Sequence, residues 1–244
     1  MKNIYWAIAG TIICLLYSCS GMLDSIEPYL KEGETIQVGK LDSLVAYSGY
    51  NRAKITGYML YGVNQTKCAI TWLDPNTLEK KQKEYPIVRQ TAGETFEFEL
   101  TDLPEGQYDF AVVTFDQGGN QSIPNDVSTY VYGDIYQSTL INRECRSIYG
   151  EEILDEEENP IWVTRINWNI TRGEDVVGYD VIYEKEDDSI VTLFSPVADM
   201  SIVLRDFKPG GVLKYTTVYQ PGINPIDKFY PSEVIETTLP PAKE

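Results

Sequence analysis

The chain has 244 residues, a formal net charge of −17 and no histidine. The missing imidazole excludes Ser-His-Asp and Cys-His hydrolases, His-ligated zinc and histidine general bases. The acidic charge, without a basic patch, predicts that the chain does not bind nucleic acid, and no motif calls for a cofactor or metal.

The first 18 residues have the composition of a signal peptide. Lys2 supplies a positive charge, and the mostly apolar run Ile4–Leu16 is too short for a permanent span of about 20 residues. Leu16-Tyr17-Ser18-Cys19 resembles a bacterial lipobox. This resemblance implies cleavage before Cys19, acylation of its thiol and an outer-membrane lipoprotein, at the cell surface or on the periplasmic face. The alternative is an ordinary signal peptide with a chance cysteine.

Residues 19–34 are polar and lack a hydrophobic period, which indicates a lipidated tether. Turn-bounded apolar stretches begin at Thr35 and predict β-sandwich strands of five to eight residues. In Lys67–Leu73, Cys68, Ile70 and Trp72 share one face, as strand geometry requires. The strands predicted in the first half are Ser43–Tyr47, Arg52–Met59, Lys67–Leu73, Lys80–Val88, Thr95–Leu100, Gln107–Asp116 and Val127–Gly133.

A more specific motif is Leu103-Pro104-Glu105-Gly106-Gln107-Tyr108, in which an apolar residue and a Pro/Gly turn precede a strand tyrosine. It resembles the start of strand F in a fibronectin type III domain, where a tyrosine hydroxyl bonds to upstream backbone. Pairing Leu103…Tyr108 with Phe207…Tyr215 gives an internal repeat of about 105 residues. The sequence therefore predicts an all-β chain of two tandem immunoglobulin/fibronectin type III-like sandwiches. One sandwich followed by a dissimilar β-domain is the alternative.

The predicted boundaries are 1–18 for the leader, 19–34 for the tether, 35–133 and 134–240 for the two sandwiches, and 241–244 for a tail. In the second half, Tyr136–Asn142 is expected to open the domain, Glu151–Glu158 to form an acidic insertion, and Thr237–Glu244 to fray. The second-half strands are predicted at Val163–Ile170, Gly178–Tyr183, Ser201–Leu204 and Leu213–Tyr219.

Three groups of motifs carry a wider resemblance, which covers nearly all of the mature chain. They are Gly39–Lys54 with its Asn51-Arg52-Ala53-Lys54, Gly119–Gly133 with Val131-Tyr132-Gly133-Asp134, and Asp206–Gly211 followed by Pro225-Ile226-Asp227-Lys228-Phe229-Tyr230. The chain resembles a lipoprotein family of unknown function from gut-dwelling Gram-negative bacteria. Members are often thought to sit among surface glycan-capture systems, which implies a setting and no reaction.

Four aromatic residues are candidates for ligand binding because they lie near predicted strand ends or loops: Trp162, Tyr132, Phe229 and Tyr230. A flat ring can stack on a pyranose, although sandwiches also use aromatic side chains as core. Trp72 and Trp168 lie within strands and are predicted to be core. Cys68 and Cys145 either form a disulfide or remain buried thiols.

The acidic runs could hold a calcium ion, supply a catalytic carboxylate pair or form solvated loops. Asp155–Asn159 lacks the spacing of a calcium loop, and a carboxylate pair drawn from it or from Asp187-Asp188 would need a cleft for glycoside hydrolysis. We therefore favour the interpretation that both acidic runs are solvated loops. Asp-Ser-aliphatic triplets make Ser25, Ser43 and Ser189 candidates for bacterial O-glycosylation.

These observations predict a membrane-anchored, non-catalytic binding or presentation module for glycans. The alternative is a structural or adhesion subunit that docks a partner protein. A carboxylate-dependent glycoside hydrolase is less supported.

Overall fold

The computed structural model describes residues 38–243, apart from 63, 89, 90, 92 and 170–174. The predicted leader, the tether, Cys19 and Ser25 lie outside the described residues. Seven strands form the first half: β1 Asp42–Ser48, β2 Ala53–Met59, β3 Gln65–Leu73, β4 Lys80–Pro86, β5 Glu94–Leu100, β6 Gly106–Asp116 and β7 Asn125–Val131.

A short helix, α1 Asp134–Thr139, opens the second half. Seven more strands follow it: β8 Cys145–Leu154, β9 Pro160–Trp168, β10 Val176–Glu184, β11 Ile190–Pro196, β12 Ser201–Leu204, β13 Val212–Tyr219 and β14 Ile235–Thr238. Within the described residues no helix is long and apolar enough to cross a membrane.

The strands form four antiparallel sheets, two in each half. The first half has the orders β1-β2-β5 and β4-β3-β6-β7, and the second half has β12-β9-β8 and β11-β10-β13-β14. Each half is thus a three-stranded sheet paired with a four-stranded sheet in the strand order of a fibronectin type III sandwich. The prediction of an all-β chain with tandem sandwiches of this type is confirmed.

Period-two burial explains why these segments are strands. Along β6, Tyr108, Phe110 and Val112 are buried, whereas Gln107 before them and Asp109 between the first two are exposed. The buried residues join a core that includes Ile55, Ile70 and Leu100 from both sheets. A second core surrounds Trp168, whose ring stacks on Tyr179 with centroids 3.9 Å apart. Trp168 is therefore core, as predicted, and Trp72 packs partly buried against the first core.

The predicted tyrosine corner is present in the first sandwich. The Tyr108 hydroxyl donates a hydrogen bond to the Pro104 carbonyl at 2.8 Å. The second sandwich does not repeat this hydrogen bond, because the Tyr215 hydroxyl accepts from the Cys145 N–H at 3.1 Å. There the backbone before β13 is held by Tyr183 of β10, whose hydroxyl donates to the Arg205 carbonyl at 3.3 Å.

Two expectations for the second half need correction, and one strand there was not expected. The region expected as an acidic insertion is partly strand, because Glu151–Leu154 completes β8 and Glu151 accepts a hydrogen bond from Arg165 Nε at 2.5 Å. The expected frayed tail begins within β14, because Thr237 and Thr238 pair with β13, and the Leu239 N–H donates to the Gly211 carbonyl at 2.8 Å. Strand β11 was not predicted at all.

The two cysteines of the described region are free thiols. Cys68 lies in the first core, where burial raises the pKa of its thiol to about 12, and Cys145 begins β8 in the second sandwich. The disulfide alternative is therefore wrong for this structure.

Candidate functional site

The loop after β13, residues 220–230, lies against the first sandwich and forms the junction between the two halves. The Ser48 N–H donates to the Asn224 carbonyl at 3.2 Å, and the Ile226 N–H donates to the Ser48 carbonyl at 2.8 Å. These bonds make a parallel bridge between Ser48 and Pro225. The loop thereby adds a short strand-like contact to the end of β1.

A charged clamp reinforces this contact. Arg52 donates from Nε to Asp227 Oδ2 at 2.9 Å and from Nη2 to Oδ1 at 2.6 Å, and the Tyr50 N–H donates to Oδ2 at 2.8 Å. The hydrogen bonds from Arg52 are the main cause that lowers the pKa of Asp227 below its ordinary value. Gly49 leaves room for the clamp, because a Cβ there would lie 2.7 Å from Asp227 Oδ2.

An aromatic cluster fills the junction behind the clamp. Phe229 is 2% exposed, and its ring centroid lies 5.6 Å from that of Tyr50, 6.0 Å from Tyr132 and 5.3 Å from Tyr136. Tyr50 and Tyr132 belong to the first sandwich, while Tyr136 lies on α1. Edge-to-face and tilted ring pairs of this kind stabilise beyond their buried area.

Helix α1 places Tyr136 in that cluster. Glu105, from the loop before β6, accepts hydrogen bonds from the N–H groups of Ile135 at 2.9 Å and Tyr136 at 3.0 Å, which satisfies open donors of the first helical turn. The Tyr136 hydroxyl donates to Asp175 Oδ2 at 3.1 Å. Burial, followed by the Asp175 charge, raises the pKa of Tyr136.

Three motifs that carried the family resemblance therefore meet at one place: Asn51–Lys54, Val131–Asp134 and Pro225–Tyr230. Asn51 adopts a φ of 50°, in the left-handed region that asparagine tolerates. Its N–H donates to the Tyr132 carbonyl at 2.8 Å, and its carbonyl accepts from the Leu103 N–H at 2.9 Å. These motifs fix the arrangement of the two sandwiches.

The junction encloses a groove of about 460 Å³ between β1, β7 and the loop 220–230. None of its lining residues carries a formal charge. Tyr130 and Ile223 are its exposed apolar members, at 40% and 81% exposure. The lining consists of Leu44, Val45, Ala46, Ser48, Gln107, Val127, Ser128, Thr129, Tyr130, Gly222, Ile223 and Asn224.

The groove follows the seam where the two sheets of the first sandwich come together. Asn125 Nδ2 donates to the Leu41 carbonyl at 2.8 Å at one end, and Ser48 Oγ donates to the Tyr130 carbonyl at 2.5 Å at the other. Strands β1 and β7 form no ladder with each other between these points. Both are edge strands, so each presents backbone groups toward the seam.

The four aromatic candidates occupy different environments. Tyr132 and Phe229 come together in the junction cluster, where the buried Phe229 ring has no free face. Tyr230 is half-buried, and burial followed by the Asp180 charge raises the pKa of its hydroxyl. Trp162 lies on β9, where Nε1 donates to the Pro241 carbonyl at 3.2 Å and its ring covers Gly150.

None of the groove's lining residues was among the sequence candidates, and Tyr130 and Asn224 show why. Tyr130 lies on β7 two positions before the candidate Tyr132, which follows the end of that strand, and their ring centroids lie 4.8 Å apart. Asn224 is supplied by the loop of the other sandwich. No local pattern could reveal it, because the loop reaches the groove only through the junction.

The acidic candidates hold turns. Asp155 Oδ1 accepts from the N–H groups of Glu157 and Asn159, and Asp187 Oδ1 accepts from Ser189 N–H and Oγ. Those hydrogen bonds lower the pKa of each carboxyl. In the described part of the chain, no group of three or more Asp, Glu or Cys side chains could hold a metal ion. Ser43 and Ser189 are exposed.

Two solved structures show limited similarity to the chain. The chain is similar to chicken CNTN1 FN1–FN3 (TM-score 0.44, 12% identity, covering 84% of this chain and 66% of that one). It is also similar to a two-domain fibronectin type III segment of chicken tenascin (TM-score 0.30, 16% identity, covering 82% and 99%).

No curated protein sequence matches the chain. One family model, that of the DUF4998 domain of unknown function, matches residues 19–229, and the chain therefore belongs to the DUF4998 family.

Proposed function

We propose that this chain is a non-catalytic binding module, held at the outer membrane by acylated Cys19, that binds a neutral glycan in the junction groove. The observation that carries the proposal is the uncharged lining of this groove in a chain with a net charge of −17. A neutral polyhydroxylated ligand meets no repulsion there, and the lining offers no carboxylate for hydrolysis.

The groove has the two kinds of group that a sugar needs. Tyr130 offers a partly exposed ring for the apolar face of a pyranose. Gln107, Ser128 and Asn224 lie around it and can exchange hydrogen bonds with hydroxyl groups. Gln107 and Tyr130 face each other across the β6–β7 ladder, so their spacing is fixed by the sheet.

A glycan array probed with residues 20–244 tests the ligand class. We expect binding to neutral glycans, and at least a tenfold loss in Tyr130→Ala, because a stacking contact is removed. Tyr149→Ala is the matched control, since Tyr149 is similarly exposed but lies on β8. Absence of binding at high protein concentration, or equal loss in both variants, would contradict the proposal.

The membrane anchor has its own test. Radiolabelled palmitate should enter the full chain in the native host and be absent from Cys19→Ala. Protease treatment of intact cells then distinguishes the cell surface from the periplasmic face. Palmitate label that persists in Cys19→Ala would overturn the anchoring proposal and leave the proposal of glycan binding in the groove untouched.

A second function, docking of a partner protein as an adhesion subunit, is favoured by the unpaired strand edges beside the groove. An extended segment of a partner can add to an exposed edge through main-chain hydrogen bonds. Copurification of a stable partner that is lost when Val127→Pro blocks the β7 edge would favour this function over glycan binding.

A further inference from the structure

The edge strands of the four sheets differ in how they resist pairing with another chain. Natural edges are protected by charge, proline or short length. Strand β4 carries three lysines and a glutamate, β5 carries three glutamates, and β8 carries an arginine and two glutamates. Strands β1 and β7 each contain an aspartate, and β12 and β14 have only four residues.

Strand β11 is different. Its sequence, Ile-Val-Thr-Leu-Phe-Ser-Pro, spans seven residues without a charge, and among the described strands it pairs only with β10. Ile190 is 74% exposed and Phe194 is 42% exposed. Apart from Pro196, which ends the strand, β11 carries none of these protections, unlike the other edge strands in the described part of the chain.

The register shows which backbone groups are open. Ladder bonds at the two ends join Lys185 N–H to the Ser189 carbonyl at 2.8 Å and Val197 N–H to the Val177 carbonyl at 2.9 Å. Because bonded positions alternate in an antiparallel pair, the odd-numbered residues of β11 bond to β10. The N–H and C=O groups of Ile190, Thr192 and Phe194 consequently point away from the sheet.

We propose that β11 pairs with β11 of a second copy of this chain, antiparallel and centred on Thr192. In this register Ile190 of each copy lies opposite Phe194 of the other, and Thr192 lies opposite itself. All three are outward-bonding positions, so the pair forms about six N–H···O=C bonds. The two four-stranded sheets become one continuous sheet, and the two-fold axis closes the assembly as a dimer.

Charge selects this edge for self-association. Two chains that each carry −17 repel over most of their surfaces, and the repulsion is least where a strand bears no charge. The side chains that face each other across the two-fold axis, Ile190 and Phe194, are apolar, and Ile182 lies opposite Thr192 on β10. Cross-strand apolar pairs of this kind stabilise a sheet. Charged side chains of both signs flank them: Glu184, Asp188 and Lys214 lie beside Ile190, and Lys228 Nζ lies 4.7 Å from the Phe194 ring centroid.

A single pair of edges buries less area than a standard stable interface, so association in solution is weak and depends on concentration. Confinement at a membrane would raise the effective concentration and favour the dimer. The proposal goes beyond glycan binding, because β11 lies outside the lining of the groove, and either can fail alone.

Sedimentation equilibrium of residues 20–244 over a wide concentration range measures the association. We expect a monomer–dimer equilibrium that Thr192→Lys weakens at least tenfold, because two charges would meet on the two-fold axis. Thr192→Val keeps the β-branched shape and should retain the dimer. A monomer at every concentration, or an open-ended series of larger species, would overturn the proposal.

Cross-linking gives a second measurement that does not depend on affinity. In a Cys145→Ser background, Thr192→Cys should form a disulfide-linked dimer under mild oxidation, whereas Gln82→Cys on the protected β4 edge should not. Equal cross-linking of both variants would contradict the register. If Thr192→Lys removed another protein while the purified chain stayed monomeric, the edge would serve that partner and self-pairing would be wrong.

Discussion

Phe229→Ala should uncouple the two sandwiches. The Phe229 ring is almost fully buried and contacts the rings of Tyr50, Tyr132 and Tyr136, two of which belong to the first sandwich. Removal of a buried phenylalanine costs about 3–5 kcal/mol. Because this cluster is small and borders an exposed loop, we expect about 3 kcal/mol, or roughly a hundredfold change in the unfolding equilibrium.

Urea unfolding followed by tryptophan fluorescence measures this loss. The intact chain should unfold in one transition, and Phe229→Ala should give two, because the sandwiches no longer support each other. Ile223→Ala, in the same loop but 81% exposed, is the control and should change stability by less than about 0.5 kcal/mol. A loss below about 1 kcal/mol in Phe229→Ala, with one transition retained, would refute the role of the cluster.

Three further predictions follow from the same structure. Tyr108→Phe removes the 2.8 Å bond to the Pro104 carbonyl and should lower the free energy of unfolding by about 1–2 kcal/mol, measured by urea titration. The pKa of Asp227 is lowered in the folded state, so its contribution to the free energy of unfolding is fully present above the unfolded pKa of about 3.9. That contribution is lost as pH falls through the folded pKa. Asp227→Asn should therefore lose less stability on acidification than the parent chain, as measured by unfolding curves at several pH values. In native residues 20–244, a thiol reagent should label half-buried Cys145 before Cys68, whose pKa is raised to about 12 by burial.

Each of these predictions has a contradicting result. Equal stability of Tyr108→Phe and the parent would show that the corner hydrogen bond is replaced by water. Unchanged acid sensitivity in Asp227→Asn would assign the loss to other carboxyls with lowered pKa, such as Asp74 and Asp116. Labelling of both cysteines at one rate would show that the first core opens readily.

Alternating burial made β6 predictable, although β11 also alternates in burial and was not predicted. In β6 each inward residue is apolar or small, and the predicted strand Gln107–Asp116 differs from the observed one by one residue. Strand β8 was missed because Glu151 and Glu152 suggest a solvated loop, although Glu151 pairs with Arg165 across the ladder. Strand β14 was missed because four residues before a proline give too short a period to recognise.

The groove could not be predicted, because it depends on the relative placement of the sandwiches. Asp227 and Tyr50 are 177 residues apart in sequence, and no periodicity reports such a contact. Two of the aromatic candidates, Tyr132 and Phe229, lie at the junction, but ring chemistry alone does not separate a ligand platform from packing. The Phe229 ring is buried because its loop folds back onto Tyr50, whereas the Tyr130 ring is partly exposed because it lies at the seam.

The junction loop has a consequence for how this family can be cut and recombined. Many tandem sandwich domains fold independently, so that exchanging a neighbouring domain costs little stability. Here a first sandwich excised at the end of β7 would leave Arg52 with Glu99 but without Asp227, and would uncover the Tyr50 ring. The matched region runs to Phe229, the residue that closes the cluster. The smallest portable unit is therefore the pair of sandwiches, and gene fusions that split it should yield insoluble halves.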